Sequence, residues 1–310
     1  MPSVKSIKQR IKSVKNTSQI TKAMEVVSAT KMRKSQEFAL RARPFAIASL
    51  EMMQNLLVRT PTLPPILTPR DVKKSLLLVI TSDKGLAGAF NANILKKAEQ
   101  WIEEKRSRGV NFTLITVGKK AKEYCESRTL PIEKSFWGFG DFSSLEETLP
   151  IAQTILDGFN SNAWDEVISV YTHFRTTLLQ VTVQKKILPA TEEGLRDAVK
   201  SILPEHGKYA EMQTAGDTRH VHYNFEYKFE PSPTEILEAL VPQIIRMHVH
   251  HVILESNASE HSARMVAMKN ATDNAKDLIS DLTITYNKVR QAGITRELTE
   301  ITAGKEALEG

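Results

Sequence analysis

Apolar residues recur at both ends of the chain with alternating spacings of three and four residues. Near the amino terminus, Val4, Ile7, Ile11 and Val14 keep this spacing, and the stripe then weakens into Ser18 and Thr21. Towards the carboxyl terminus the same spacing holds at Met265, Met268, Thr272, Ala275, Ile279, Leu282, Tyr286 and Val289. Such an alternation is a heptad seam. We therefore predict that two long terminal helices pair as an antiparallel coiled coil.

Glycine and proline, which interrupt helices, mark the limits of these two segments. No Gly precedes Gly85 and no Pro lies between Pro2 and Pro44, which predicts an unbroken helix over residues 3–43, continuing past a bend at Pro44 to Val58. The second helix is predicted to begin after Ser232, which precedes Pro233 and stands three residues before Glu235. That arrangement is a capping box with Pro at the first helical position.

The middle of the chain has a different pattern, in which short apolar runs alternate with amphipathic segments. Strands are predicted at 75–80, 111–117, 166–174 and 178–188, and helices at 91–108, 119–128 and 144–160. The last two strands are predicted to pair as a hairpin, and the aromatic alternation at His222–Phe229 suggests a further strand. Alternating strands and helices are typical of an α/β domain with a mostly parallel sheet.

The predicted fold class is thus α/β with long helical arms, an antiparallel two-helix coiled coil joined to a Rossmann-like α/β domain. The expected divisions are a coiled-coil helix over 1–60, a Pro-rich linker over 61–71, the α/β domain over 72–231 and a second coiled-coil helix over 232–310. Within the α/β domain the pattern of residues 190–231 is poorly defined.

Charge is concentrated at one end of the chain. The net charge of the chain is +6, yet residues 1–43 hold eleven Lys and Arg against two Glu, a local charge of +9. Five lysines follow the heptad spacing one position beyond the apolar stripe: Lys5, Lys8, Lys12, Lys15 and Lys22. This lysine ribbon has three interpretations: a solvated face, a nucleic-acid contact, or a surface that meets an acidic protein. Only one aromatic residue, Phe38, lies in the segment, so base stacking has no support.

Candidate catalytic and ligand sites are few. The turn Ser82–Gly88 follows a strand, where α/β folds bind phosphates, but it lacks the spacing of a phosphate-binding glycine loop and is interpreted as a structural turn. His248 and His251, with Glu255 one turn further, show no third convergent metal ligand. Cys125 is the only cysteine, and no nucleophile motif is present. No catalytic residue, cofactor or metal is predicted.

Three segments resemble the gamma subunit of rotary, F-type, proton-translocating ATP synthases. They are Ile20–Val27 with Lys31–Lys34, the turn Ser82–Asn91, and the long runs Ala258–Ala275 and Tyr286–Leu298. The resemblance implies a non-catalytic rotor shaft. It couples proton flow through the membrane c ring to the conformational cycle of the catalytic alpha/beta subunits during ATP synthesis, and the reverse rotation accompanies ATP hydrolysis.

The resemblance also implies partners and contact residues. The partners would be the alpha and beta subunits, the epsilon subunit and the c-subunit ring, with no nucleic acid, no direct nucleotide binding, and membrane association through the complex only. By motif position, Arg290, Gln291 and Thr295 correspond to contacts with the alpha/beta ring, and Met24 and Lys22 to a region near an acidic loop of the beta subunit.

Two other function classes stay open on the residues alone, a coiled-coil nucleic-acid-binding protein and an α/β nucleotide enzyme with helical arms. A lone cysteine argues against the paired-thiol regulation of the plastid form. Because the chain shows no transit or secretory segment and no apolar run that could span a bilayer, we expect a peripheral protein at the cytoplasmic face of a bacterial plasma membrane.

Overall fold

The computed structural model describes residues 3–41, 43–60, 63–139, 143–191, 194 and 228–309. The chain forms two compact units, one of Met1–Ser28 with Met265–Gly310 and the other of Ala29–Arg264. The helices and strands of the described residues are α1 Val4–Arg41, α2 Arg43–Arg59, a 3-10 turn Pro65–Leu67, β1 Lys74–Ile80, α3 Phe90–Ser107, β2 Asn111–Val117, α4 Lys119–Ser127, β3 Ile132–Phe136, α5 Leu145–Asn160, β4 Glu166–Phe174, β5 Gln180–Leu188 and α6 Pro233–Glu309.

The unit of Ala29–Arg264 is built on one five-stranded sheet in the order β3-β2-β1-β4-β5. All neighbours are parallel except β4 and β5, which form an antiparallel hairpin. Every residue of β1 after Lys74 is buried, because helices cover both faces of the sheet. Leu76 and Leu78 face a core shared with α2, α5 and α6, whereas Leu77 and Val79 face a core shared with α3 and α4. The predicted mostly parallel α/β fold is confirmed.

One strand, β3, was not predicted. It has only five residues, Ile132–Phe136, and two of them are the charged residues Glu133 and Lys134. The strand lies at the edge of the sheet and pairs only with β2, so little of it is buried and its apolar pattern is weak. The strand predicted at His222–Phe229 falls almost entirely outside the described residues.

The start of α6 shows the Ser232 half of the predicted capping box, while the Glu235 carboxylate contacts the Ser232 hydroxyl in place of its main-chain N–H. The Ser232 hydroxyl oxygen accepts a hydrogen bond from the Glu235 N–H at 3.2 Å, and the same hydroxyl lies 2.8 Å from the Glu235 carboxylate. α6 then runs for 77 residues to Glu309, with Pro242 inside it. The predicted second long helix is therefore confirmed.

In the other unit, α1 and α6 contact each other along the predicted seam. All eight seam positions from Met265 to Val289 are buried or half-buried, as are Val4, Ile7, Ile11 and Val14. The Thr21 and Thr272 hydroxyls lie 2.7 Å apart across the seam. From this pair, burial extends to Val4 in α1 and to Gly293 in α6. The helices therefore run antiparallel, since both chain ends lie on the same side of the threonine pair.

Replacing the threonine pair should reveal an interaction between the two helices. We expect Thr21→Val and Thr272→Val each to lower the free energy of unfolding by about 1 kcal/mol, because each removes the hydroxyl contact across the seam and leaves the other buried hydroxyl with only the carbonyl of its own helix. The double variant should lose less than the sum, with a coupling energy of about 1 kcal/mol. Urea unfolding of the full chain, followed by circular dichroism, measures all three values.

Thr283→Val is the matched control for this cycle. The Thr283 hydroxyl donates to the Ile279 carbonyl one turn back at 2.7 Å, as the Thr272 hydroxyl does to Met268 at 2.8 Å, but Thr283 is exposed. Its loss should change the free energy of unfolding by about 0.5 kcal/mol or less. Strictly additive effects of the two seam substitutions would show that the Thr21–Thr272 contact does not stabilise the coiled coil.

Candidate functional surface of the terminal helices

Beyond the seam, the end of α6 exposes an apolar stripe that nothing in its own unit covers. Ile294, Leu298 and Ile301 follow one another at spacings of four and three residues and are 51%, 61% and 70% exposed. Every described side chain from Ile294 to Lys305 is exposed. Three large apolar side chains on one face of a helix are typical of a surface that binds a partner. We call these three residues the C-terminal stripe.

The lysine ribbon lies on the outside of the coiled coil. Lys5, Lys8, Lys12, Lys15 and Lys22 are all exposed. Lys22 pairs with Glu25 at 3.0 Å within α1, and its charge also lowers the pKa of Asp273 in α6, after the larger effects of Lys276. The other four lysines form no ion pair with the described residues. The ribbon therefore presents unneutralised positive charge to the surroundings.

The five predicted contact residues fall into two groups. Arg290, Gln291 and Thr295 are exposed on adjacent turns of α6, where the Thr295 hydroxyl donates to the Gln291 carbonyl at 3.0 Å. Lys22 is exposed and Met24 half-buried in α1, close to the level of the Thr21–Thr272 pair. Eighteen residues of helix, roughly 27 Å, separate Thr272 from Arg290. The structure therefore forms two contact regions along the coiled coil and does not bring the five residues together.

The turn Ser82–Gly88 is held in place by the protein's own side chains. The Asp83 carboxylate accepts hydrogen bonds from the Lys119 N–H at the start of α4 and from the Gly138 N–H after β3, both at 2.8 Å. The Asn91 side chain accepts from the Ser82 N–H at 3.0 Å. A carboxylate of the protein thus occupies the N-terminus of α4, a place where helices can bind an anion.

Two features of this turn could not be read from the sequence. Leu86 has φ = 64° and is 64% exposed, so the turn places an apolar side chain in solvent. Arg264 of α6 donates to the Lys84 and Gly85 carbonyl oxygens at 3.3 Å and pairs with Glu260 at 2.5 Å. About 180 residues separate the two partners, and local pattern does not report such a contact.

The histidine run of α6 is buried against the sheet. The third residue missing from the sequence pattern is His173 of β4, whose Nδ1 lies 3.0 and 3.1 Å from the two Glu255 carboxylate oxygens. Even so, no group of three or more His, Cys, Asp or Glu side chains among the described residues is arranged to hold a metal ion.

Two further observations concern chemistry that the sequence left open. Cys125 is buried, and this burial, with a smaller effect of the Glu126 charge, raises the pKa of its thiol to about 11. The group is therefore protonated at neutral pH and a poor nucleophile. Among the described residues, no helix has the length and apolar character needed to cross a membrane.

Comparison with known proteins gives one consistent result. A family model described as ATP synthase matches residues 3–308. The ATP synthase gamma chain of Crocosphaera subtropica is 39% identical over 99% of this chain and 100% of its own length. The gamma chain of Chloroflexus aurantiacus is also 39% identical, over 99% of both chains.

Solved structures agree with the sequence comparison. A chain of the central stalk and c ring of the Tetrahymena thermophila mitochondrial ATP synthase is 25% identical, with a TM-score of 0.57 over 81% of this chain and 99% of its own. A chain of the Euglena gracilis mitochondrial enzyme, 21% identical, has the same fold, with a TM-score of 0.64 over 98% of this chain and 94% of its own. The chain therefore belongs to the ATP synthase gamma chain family.

Proposed function

We propose that this chain is the central rotor shaft of an F-type ATP synthase. It couples proton flow through the membrane c ring to the conformational cycle of the catalytic alpha/beta subunits, and in reverse it couples ATP hydrolysis to proton pumping. The observation that carries this proposal is the seam that ends at Gly293, beyond which α6 exposes the C-terminal stripe. In a chain similar to gamma chains over its full length, this exposed stripe fits a contact with the surrounding alpha/beta ring.

The shaft itself needs no catalytic group to perform this function. A ligand or partner shifts a conformational equilibrium only by interacting with the two conformations with different free energies. A coiled coil with a lysine ribbon on one side and the C-terminal stripe beyond the seam presents different surfaces in different directions. Rotation of such a rod inside a ring of alternating subunits therefore changes which subunit meets which surface.

The proposed contacts with the alpha/beta ring lie in two regions. One region lies where the seam ends in α6. Exposed hydrogen-bonding groups are supplied there by Arg290 and Gln291, just before Gly293, and by Thr295, just after it. Met24 and Lys22 form the second region, next to the rest of the lysine ribbon. The unneutralised lysines fit an acidic loop on the beta subunit, because opposite charges guide association and fix register.

The remaining partners and the location follow from the same proposal. Related chains come from structures described as central stalk and c ring, and as OSCP, F1 and c ring. We infer that the α/β domain over 72–231 lies outside the alpha/beta ring and contacts the epsilon subunit and the c ring. We place the chain at the cytoplasmic face of a bacterial plasma membrane, where the complex alone attaches it to the bilayer.

Substitution of the α6 contacts should weaken coupling without weakening the fold. We expect Arg290→Ala to lower ATP hydrolysis by the complex reconstituted with its alpha and beta subunits about tenfold, the effect of losing one charge-assisted hydrogen bond. The free energy of unfolding of the isolated chain should stay within about 0.5 kcal/mol of the wild-type value, since an exposed Arg contributes little to stability. Gln291→Ala and Thr295→Ala should act in the same direction.

Lys96→Ala is the control, because it removes a basic side chain that is also exposed but lies on α3, outside the coiled coil. It should leave hydrolysis by the complex within about twofold of the wild type. An equal loss of activity in this control, or a loss of stability by Arg290→Ala that matches its loss of activity, would remove Arg290 from the contact surface.

The lysine ribbon provides a second test and separates the alternative function. We expect the change of Lys5, Lys8, Lys12 and Lys15 to Gln to slow assembly with the alpha and beta subunits and to make assembly less sensitive to salt. A nucleic-acid-binding protein would instead bind DNA or RNA tightly at physiological salt and lose this binding in the same variant. The relatives of this chain give no support to the nucleic-acid alternative. Tight DNA or RNA binding without stable assembly with the alpha and beta subunits would overturn the rotor function.

A further inference from the structure

A cluster of ionisable side chains is buried where α6 packs on the sheet, and the proposed rotor function uses none of them. Its members are His248, His250, His251 and Glu255 of α6 and His173 of β4; we call it the helix–sheet cluster. The four residues of α6 are 9% exposed or less. Tyr171 of β4 and Lys185 of β5 face the cluster from the sheet, and Thr148 of α5 faces it from the other side.

Glu255 carries the negative charge of the cluster. Its carboxylate lies 3.0 Å from His173 Nδ1 and 3.4 Å from His251 Nε2. Burial raises the pKa of Glu255, but the electrostatic effect of the nearby His251 and the hydrogen bond with His173 outweigh burial and bring this pKa to about 2. Burial, together with the negative charge of Glu255, raises the pKa of Tyr171 well above its ordinary value. The cluster therefore holds an ionised carboxylate beside a neutral phenol.

His248 occupies a position that has no acceptor for an additional proton. Its Nδ1 is buried and has no hydrogen-bond partner among the described residues. The charged groups that face it are His251, Lys185 and, in the opposite sense, Glu255. Burial, then His251 and Lys185, lower the pKa of His248 to about 3. An imidazolium at this place would lie near other cations without hydrogen-bond compensation, which is strongly unfavourable in a protein interior.

His250 contacts a different element of the fold. Its Nδ1 lies 2.9 Å from the Thr148 hydroxyl of α5, which is buried as well. The Thr148 hydroxyl also lies 3.0 Å from the Leu145 carbonyl, so it has an alternative acceptor in its own helix. Burial and the charge of His251 lower the pKa of His250 to about 4. This contact joins α6 to α5, as the His173–Glu255 contact joins α6 to β4.

We propose that the helix–sheet cluster is an acid-sensitive latch, which holds α6 on the sheet while His248 and His250 are neutral and releases it when they take up protons. Neither histidine can accept a proton in place without adding an unpaired cation to the core. Proton uptake therefore requires α6 to separate locally from α5, β4 and β5. The core on the opposite face of the sheet, formed with α3 and α4, contains none of these groups and stays folded.

The direction of the pH dependence follows from the three lowered pKa values. A histidine whose pKa falls from 6.5 to about 3 or 4 on folding binds fewer protons in the folded state, so the folded state loses stability as the pH falls below 6.5. Glu255 acts in the same direction below its ordinary value of 4.5. Between pH 6.5 and 5.5 each histidine raises the equilibrium constant for opening about fivefold, and the slope approaches tenfold per unit only at lower pH. Two histidines together give about a thirtyfold increase over this interval.

Hydrogen exchange of the full chain at pH 7.5 and 5.5 tests the latch directly. After correction for the intrinsic pH dependence of exchange, protection should fall in α6 over residues 244–262 and in β4 and β5. Protection of α3 and α4, which cover the opposite face of the sheet, should not change. Equal loss of protection on both sides of the sheet would indicate global acid unfolding and would overturn the proposal, as would unchanged protection in α6.

Variants separate the two histidines from other acid-sensitive groups. The double change His248→Leu with His250→Leu should remove most of the approximately thirtyfold increase in opening of α6 between pH 6.5 and 5.5. Thr148→Val is the control, since it removes the partner of His250 but no titratable group. It should increase opening by the same factor at both pH values. A double variant that keeps the full acid response would contradict the latch. If the double variant does not fold, the hydrogen-exchange comparison of the wild-type chain at pH 7.5 and 5.5 decides between the outcomes given above.

Discussion

The structure depends on one constraint, that a single helix must satisfy two different environments along its length. In α6 every side chain from His248 to Glu255 is buried, so the helix is surrounded on all sides in that part of the α/β unit. From Met265 onwards only the seam positions, about two in seven, are buried. A helix that is apolar on all sides is typical of a protein core, and one with a narrow stripe is typical of a coiled coil. The change occurs within about one turn of Arg264.

Local polar contacts mark the place where the first environment ends. The Ser259 hydroxyl donates to the Thr172 carbonyl at 2.9 Å, and the Ser262 hydroxyl donates to the Thr177 carbonyl at 2.8 Å. Arg264 then donates to the turn after β1. Each of these bonds satisfies a group at the carboxyl end of a strand, where main-chain carbonyls have no further partner in the sheet. These direct hydrogen bonds fix the helix to the sheet and to the turns beside it.

Periodicity predicted the seam and the sheet because both depend on local sequence. The eight seam positions of α6 were predicted from spacing alone, and all are at least half-buried. β3 was missed because an edge strand of five residues buries too little to impose a pattern. The His173–Glu255 and Arg264–Gly85 contacts join residues 82 and 179 positions apart. Only the fold brings such residues together, so sequence could suggest the histidine run but not its partner.

The seam is also unusual in what it buries, and this bears on how the rod works. Thr21, Thr272, Ser28 and Ala275 are small, and two of them join their helices by a hydroxyl pair. Small residues allow the two helices to approach closely but bury little apolar area. The stiffness of the coiled coil must therefore come from hydrogen bonds between the helices and from the subunits that surround it. Beyond Gly293, no described residue packs on α6 as a seam partner, and an isolated helix of about 16 residues is only marginally stable in water. A ring that covers the C-terminal stripe would therefore stabilise the helix it binds. The end of the shaft would become rigid where it is enclosed, and this is where it must transmit force.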